Sequence, residues 1–270
     1  MSFKQELVGL FGQPVVENPT QAMVEAAFGS LGLDWRYLTL EVAPADLGDA
    51  VRGARAFGFR GFHCTIPHKV AVVPHLDRIG ESAAAIGAVN CVVRGGDDLV
   101  GENTDGKGFL RSLESRLDPR GASLVVLGAG GAARAIAVEL KLAGAGRLTI
   151  VNRSEERGRE LAEAVGADFA RWSGDYAVPP GTDVLVNATS LGLHPNVAER
   201  VPVAFGPPLL VADVIPNPPE TRLLRDAVAA GCETLDGLGM LVEQGVLAVE
   251  YWTGRRPDAG VMRAALAAVL

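Results

Sequence analysis

The sequence predicts a two-domain α/β protein whose second domain is a doubly wound parallel sheet of dinucleotide-binding type. Three observations carry this. Ser123–Leu127 is a short, nearly unbroken apolar run, the mark of a strand buried on both faces. Gly128, Gly130 and Gly131 follow and lead into a helix-forming run from Ala132 to Ala143. From Ser123 onward, strand-like runs alternate with helical ones, the rhythm of a parallel sheet covered by helices on both faces.

The first half is also α/β but lacks a glycine fingerprint. Glu6–Phe11 reads as a strand and stops at Gly12-Gln13-Pro14. Asn18-Pro19-Thr20 opens an alanine-rich helix through about Ser30, with Asn18 as N-cap and Pro19 at the first helical position. Trp35–Val42 alternates as a strand does, and Pro44–Phe57 reads as a helix. Gly61–Ile66 is strand-like and ends at Pro67-His68-Lys69, with short helical pieces through Ile86. Ala88–Arg94 and Asp98–Glu102 flank Gly95-Gly96-Asp97 as a hairpin. Lys107–Leu117 reads as a connecting helix, which places the domain boundary near residue 105.

Beyond the glycine turn, Arg147–Val151 and Glu155–Val165 read as strand and helix. Asp183–Asn187 and Leu209–Val214 are strands separated by a Pro/Gly-rich loop, Leu193–Pro208. Thr221–Ala230, Gly237–Trp252 and Asp258–Leu270 are helices.

A strand, a glycine turn and a helix together hold a phosphate. Glycines let the backbone approach the anion, and uncapped N–H groups at the helix N-terminus face it. The second strand ends about 20 residues later, where such a fold meets the adenosine ribose. No Asp or Glu stands there to take a 2′-hydroxyl. Asn152-Arg153-Ser154 and Arg157 stand there instead, and two arginines suit a 2′-phosphate. NADP is therefore the expected cofactor.

Composition narrows the function classes. A chain of 270 residues is long enough for two modest cores. Hydrophobic residues make up 48 %, yet no run approaches the ~20 apolar residues that span a bilayer. The N-terminal MSFKQELVGLFG lacks a secretory signal pattern, so a cytoplasmic protein without a membrane partner is expected. A net charge of −7 without a basic block argues against nucleic acid as a partner. Cys64, Cys91 and Cys232 are far apart and read as reduced, and His63, His68, His75 and His194 fit no metal-binding template, so no metal is expected.

A nucleotide domain preceded by another α/β domain suggests hydride chemistry on a small-molecule substrate. Oxidising an alcohol needs a group to take the hydroxyl proton as hydride leaves the same carbon. Lys69, just past a strand end, and Asp105, at the domain junction, are the candidates; taken alone, Lys69 also reads as a solvated lysine.

Seven segments then stand in a familiar order. They are Thr65-Ile66-Pro67-His68-Lys69, Gly87-Ala88-Val89-Asn90, Asn103-Thr104-Asp105-Gly106, Gly128-Ala129-Gly130-Gly131-Ala132, Asn152-Arg153-Ser154, Asn187-Ala188-Thr189-Ser190 and Asp236-Gly237-Leu238-Gly239-Met240-Leu241. Covering nearly the whole chain, they resemble the successive motifs of the shikimate dehydrogenase family. The resemblance implies reversible, NADP-linked oxidation of shikimate to 3-dehydroshikimate, a step of aromatic amino-acid biosynthesis. It implies Lys69 as acid/base and Asp105 as its orienting partner. Asn90 and Gln244 match positions that bind ring hydroxyls, and Thr65 a position near the carboxylate. Gly128, Ala129, Gly130, Gly131, Ala132, Asn152, Arg153, Ser154 and Arg157 would hold NADP, with Thr189, Gly237 and Met240 beside its nicotinamide half. The implied architecture is a substrate domain over 1–105, a Rossmann-type domain over 106–237, and terminal helices over 238–270 that return to the first domain, in a monomer or homodimer.

Three positions depart from the family pattern. Where the family commonly has Ser-x-Ser for the substrate carboxylate, this chain has Asn18-Pro19-Thr20, although Asn and Thr still donate hydrogen bonds. His63 replaces a usual asparagine, either as a substrate contact or as filler, and Pro216 replaces a usual tyrosine. Polar groups built to read substrate hydroxyls are worth about 10⁴–10⁵-fold in discrimination, so such changes can switch substrates. The alternatives are a relative acting on quinate or another cyclic polyhydroxy acid, and a non-catalytic NADP sensor. Retention of Lys69 and Asp105 argues against the sensor.

Overall fold

The structure, a computed structural model, describes residues 4–270. These divide into two compact units, one running through Thr104 and completed by Gln244–Leu270, the other Asp105–Glu243.

In the first unit the chain order is β1 (Glu6–Gly12), α1 (Thr20–Ser30), β2 (Trp35–Glu41), α2 (Leu47–Ala56) and β3 (Gly61–Cys64). Then come α3 (His68–Ala71), β4 (Arg78–Ile79), α4 (Glu81–Ile86), β5 (Cys91–Gly95) and β6 (Asp98–Glu102). The six strands form one sheet in the order β2-β1-β3-β5-β6-β4. β1 pairs in parallel with β2 and β3, whereas β5 runs antiparallel to β3 and β6. The β5–β6 hairpin turns through Gly96 at φ 67°, where the tight turn needs a left-handed residue.

Alternation sorts the side chains between the two faces. Phe11, Phe62, Cys64, Val92 and Leu99 join Leu47, Val51 and Ala54 of α2 in one core, with the Phe11 and Phe62 rings stacked at 4.5 Å. His63 and Tyr37 face the other way, against Trp252.

Trp252 belongs to α9 (Gly237–Thr253), which is followed by α10 (Ala259–Ala267). Its indole N–H donates to Val92 O at 2.9 Å, and the ring lies so close over Gly61 that a Cβ there would collide with Nε1. Only a glycine lets this ring approach the sheet. Trp252→Ala is expected to destabilise the first unit by about 3–5 kcal/mol, since it leaves a cavity and removes the indole's hydrogen bond to Val92 O. Urea unfolding of the variant checks this, and an unchanged midpoint would refute it.

The second unit opens with α5 (Asp105–Glu114), β7 (Ser123–Leu127), α6 (Gly131–Leu142), β8 (Arg147–Asn152), α7 (Glu155–Val165) and β9 (Asp168–Arg171). It continues with β10 (Tyr176–Ala177), β11 (Val184–Asn187), β12 (Val203–Ala204), β13 (Leu210–Asp213), α8 (Arg222–Ala229) and β14 (Glu233–Leu235). Six strands form a wholly parallel sheet, β14-β13-β11-β7-β8-β9. Successive residues of β7 serve opposite cores. Leu124 and Val126 pack with Phe109, Leu113, Ile136 and Leu140, whereas Val125 and Leu127 pack with Val211, Leu223 and Leu224. That is why the run is apolar throughout. The order of strands reverses between β7 and β11, the place where doubly wound sheets take ligands.

Several boundaries differ from expectation. α5 starts at Asp105 rather than Lys107, which puts a carboxylate in the first turn, where the helix dipole favours it. α1 begins at Thr20 with Pro19 at the N-cap. Asn18 still caps from one residue further out, its Oδ1 accepting the Thr20 N–H at 3.0 Å. The loop expected over 193–208 contains β12, which pairs with β10. β9 and β14 are additional edge strands. Within α9 the division between units falls at Gln244, not at 238.

Candidate active site

In the first unit, chain ends collect at one edge of the sheet. Thr65 N donates to Phe11 O at 2.9 Å, and Cys64 N donates to Asn90 O at 2.8 Å. Asn90 N in turn donates to Glu102 O at 3.1 Å, so the ends of β1, β3 and β6 and the start of β5 meet there. Thr65 O accepts from His68 N at 2.8 Å, and this turn starts the short α3 that carries Lys69. Lys69 O accepts from Val89 N at 2.7 Å, tying the lysine backbone to the strand that leads into Asn90. The Lys69 side chain is half-buried, and its charge reaches the Cys64 thiol.

Burial nevertheless dominates at Cys64 and pushes its thiol up to about 12. None of the three cysteines forms a disulfide, and all three are buried. Native protein is therefore expected to react slowly with a thiol reagent, with the full complement appearing only on denaturation. A stoichiometric burst from the folded protein would contradict this burial.

Asn90, Thr104 and Gln244 form a buried polar cluster at the same edge, with exposures of 3 %, 0 % and 6 %. Thr104 N donates to Asn90 Oδ1 at 2.7 Å, and Asn90 Nδ2 donates to Thr104 Oγ1 at 3.0 Å. Thr104 Oγ1 also lies 3.3 Å from Gln244 Oε1. Asn103, beside it, donates from Nδ2 to Ala88 O at 3.0 Å. Thr104 is followed directly by Asp105 at the head of α5.

The other substrate-side candidates are placed differently. Asn18 is occupied as a cap, and Thr20 is 6 % exposed in the first turn of α1. His63 pairs with two aromatic side chains. It lies in the core at 3 % exposure, with Nδ1 2.8 Å from the Tyr37 hydroxyl and its ring edge against Trp252.

In the second unit the glycine turn has the form a dinucleotide needs. Gly128 has φ 108°, and a Cβ there would lie 3.0 Å from Ala188 O and 3.2 Å from Thr189 Cγ2. A Cβ at Gly130 or Gly131 would meet nothing within 4 Å, so backbone lies open where a pyrophosphate approaches. No side chain caps α6, and its first turn, with Ala132, carries no acidic residue. Both features favour an anion.

At the end of β8, Asn152 Nδ2 donates to Ser154 O at 2.9 Å, and Ser154 Oγ accepts from Arg157 N at 3.4 Å. Arg153 and Arg157 are exposed, and neither forms an ion pair among the described residues. Neighbouring Arg134 and Arg159, by contrast, are tied to Glu160 and Glu155 at 2.6 and 2.8 Å. The two arginines left uncommitted are those the sequence places at a 2′-phosphate.

Thr189 is held from below by a buried network. Its Oγ1 donates to Asn187 Oδ1 at 2.7 Å, and Asn187 Nδ2 donates to Asp213 Oδ1 at 3.1 Å. Asp213 also accepts from Thr221 Oγ1 at 2.7 Å. Burial pushes the Asp213 carboxyl above the usual aspartate range, against the pull of these hydrogen bonds. Gly237 begins α9 against Ile215 O, and Asp236 Oδ1 caps the turn by accepting from Gly239 N at 3.0 Å. Met240 packs against the core beneath the sheet. Among the described residues no group of three or more His, Cys, Asp or Glu could hold a metal ion.

Comparison with known proteins decides the family. The family model described as the shikimate dehydrogenase substrate binding domain matches residues 10–92. Shikimate / quinate 5-dehydrogenase matches 112–194, and the shikimate 5'-dehydrogenase C-terminal domain matches 237–267. A shikimate dehydrogenase (NADP(+)) of Geobacter metallireducens is 44 % identical over 279 residues, covering 99 % of this chain and 98 % of its own. The chain belongs to the shikimate dehydrogenase family.

Two solved structures resemble it over the full length. The ligand-free 5-ketofructose reductase of a Gluconobacter species superposes with a TM-score of 0.96 at 52 % identity, covering 100 % of both chains. A shikimate 5-dehydrogenase from Thermus thermophilus, in complex with NADP(H) and shikimate, gives 0.88 at 35 % identity, covering 98 % of this chain and all of its own. Structures similar to this chain thus carry more than one named activity.

Residue typing had missed Thr104 and the Asn187–Asp213–Thr221 network. Thr104 and Asn187 lie in the quoted segments, but each acts through partners distant in sequence. No helix among the described residues is long and apolar enough to cross a membrane.

Proposed function

We propose that this protein is an NADP-dependent oxidoreductase that interconverts shikimate and 3-dehydroshikimate. The observation that carries the reading is the buried Asn90–Thr104–Gln244 cluster at the sheet edge that also bears Thr65 and Lys69. Such a cluster presents polar groups suited to substrate hydroxyls beside a half-buried lysine. The curated relatives act as NADP(+)-dependent shikimate dehydrogenases. The open glycine turn, Asn152, Arg153, Ser154 and Arg157 fit NADP, and Thr189, Gly237 and Met240 are assigned to its nicotinamide half. When bound, the cofactor accepts hydride from the substrate carbon.

In this reading Lys69 Nζ takes the hydroxyl proton during oxidation and returns it during reduction. Asp105 orients the lysine and accepts a hydrogen bond from the substrate. Asn90 and Gln244 would hold the ring hydroxyls, and Thr65, with Asn18 and Thr20, would receive the carboxylate. The protein would act in the cytoplasm as a monomer or homodimer, which light scattering of the purified chain tests. The decisive assay is product identity. Incubation with NADP⁺ and shikimate should yield NADPH and 3-dehydroshikimate in equal amounts, and failure to form either product would refute the assignment.

A second reading has its own observation. The 5-ketofructose reductase is 52 % identical over 100 % of both chains, against 44 % for the Geobacter metallireducens enzyme. Asn18 Oδ1 accepts the Thr20 N–H, so one N–H donor at the start of α1 is spent on capping rather than left for a carboxylate. A site with that arrangement suits a neutral polyhydroxy ketone, reduced with NADPH as hydride donor. Reduction of 5-ketofructose by this protein, with shikimate inert, would favour it.

A further inference from the structure

We infer that Thr104 is a positioning residue that sets which way the Asn90 and Gln244 side-chain amides face. The inference rests on the reading that these two amides contact substrate. Thr104 is fully buried, and its hydroxyl meets no other partner among the described residues. The backbone bond from Thr104 N, at 2.7 Å, identifies the near atom of Asn90 as the carbonyl oxygen. The amide nitrogen of Asn90 then donates to Thr104 Oγ1 at 3.0 Å.

With that lone pair used, the hydroxyl has one proton to give. Two acceptors stand at 3.3 Å, Asn90 Oδ1 and Gln244 Oε1. Asn90 Oδ1 already receives the shorter backbone bond, so the proton goes to Gln244. A hydroxyl that must accept from one amide and donate to the other fixes both flips at once. Gln244 turns its carbonyl toward Thr104 and its NH₂ away from it. A substrate oxygen met by Gln244 is therefore met by an N–H donor. The link joins positions 90, 104 and 244, which lie on β5's lead-in, past β6 and on α9 within the first unit.

Thr104→Val keeps the shape and removes the hydroxyl. With the substrate that wild type turns over, shikimate with NADP⁺ or 5-ketofructose with NADPH, it should lower kcat/KM on the order of 10-fold, mainly by raising KM. Affinity for NADP should stay unchanged, and Thr104→Ser should restore kcat/KM. Thr104→Ala serves the same purpose should the valine variant fail to fold. Asn90→Ala and Gln244→Ala test the underlying reading separately. If those two raise the substrate KM and Thr104→Val does not, the positioning role is overturned while the substrate site stands. If neither amide variant changes KM, the site reading and the inference fall together. A Thr104→Ser variant as impaired as Thr104→Val would also overturn it, because the hydroxyl would then not be the active element.

Discussion

Lys69→Ala is expected to lower kcat by about 10³-fold, within the range of a lost general acid/base, while NADP affinity stays close to that of wild type. The reason lies in placement. Lys69 sits on a short helix held by Thr65 O and Val89 N at the edge that carries the polar cluster, in the unit that lacks the glycine turn. The residues assigned to the cofactor belong to the other unit. Lys69→Arg sharpens the result. Arginine keeps the positive charge but does not release its proton at accessible pH. If proton transfer is the role, the arginine variant should be nearly as impaired as alanine. A variant that recovers most of the activity would show instead that charge alone suffices at this position. Rapid-quench measurement of the chemical step, with NADP binding measured in parallel, separates the two.

Replacing both Arg153 and Arg157 by alanine should weaken NADP binding by about 10- to 100-fold for each charge-assisted hydrogen bond removed, while affinity for NAD changes little. Both side chains are exposed and outside any ion pair among the described residues, so each is available to a phosphate. Exposure also sets the salt dependence. The advantage of NADP over NAD should shrink as ionic strength rises and the Debye length shortens. Calorimetric titration with both cofactors reads the effect directly. Equal loss of affinity for NADP and NAD would mean that the arginines do not read the 2′-phosphate.

How far the sequence was legible depended on the range over which each residue acts. β7, the glycine turn and α6 were visible because local physics suffices. Both faces of β7 are buried, so its apolar run is continuous, and the glycines mark the open turn. β9 and β14 were invisible for the opposite reason. They are short edge strands with residues such as Asp168, Arg171 and Glu233 at exposed positions, and pairing rather than pattern makes them strands. His63 was ambiguous because its partners, Tyr37 and Trp252, lie far along the chain. Thr104 was hidden within a quoted motif, since its meaning depends on amides 14 and 140 residues away. The start of α1 moved by one residue because Asn18 caps across Pro19 rather than from the adjoining position.

The measurement that tests the account most directly compares two reactions in one preparation that has been shown to bind NADP. These are kcat/KM for shikimate with NADP⁺ and kcat/KM for 5-ketofructose with NADPH, the first at mildly alkaline pH to favour oxidation. The account predicts robust turnover of shikimate, lost in Lys69→Ala and weaker with NAD⁺. Absence of shikimate turnover in protein that still binds NADP would contradict it, and reduction of 5-ketofructose by that same protein would put the neutral ketone in its place.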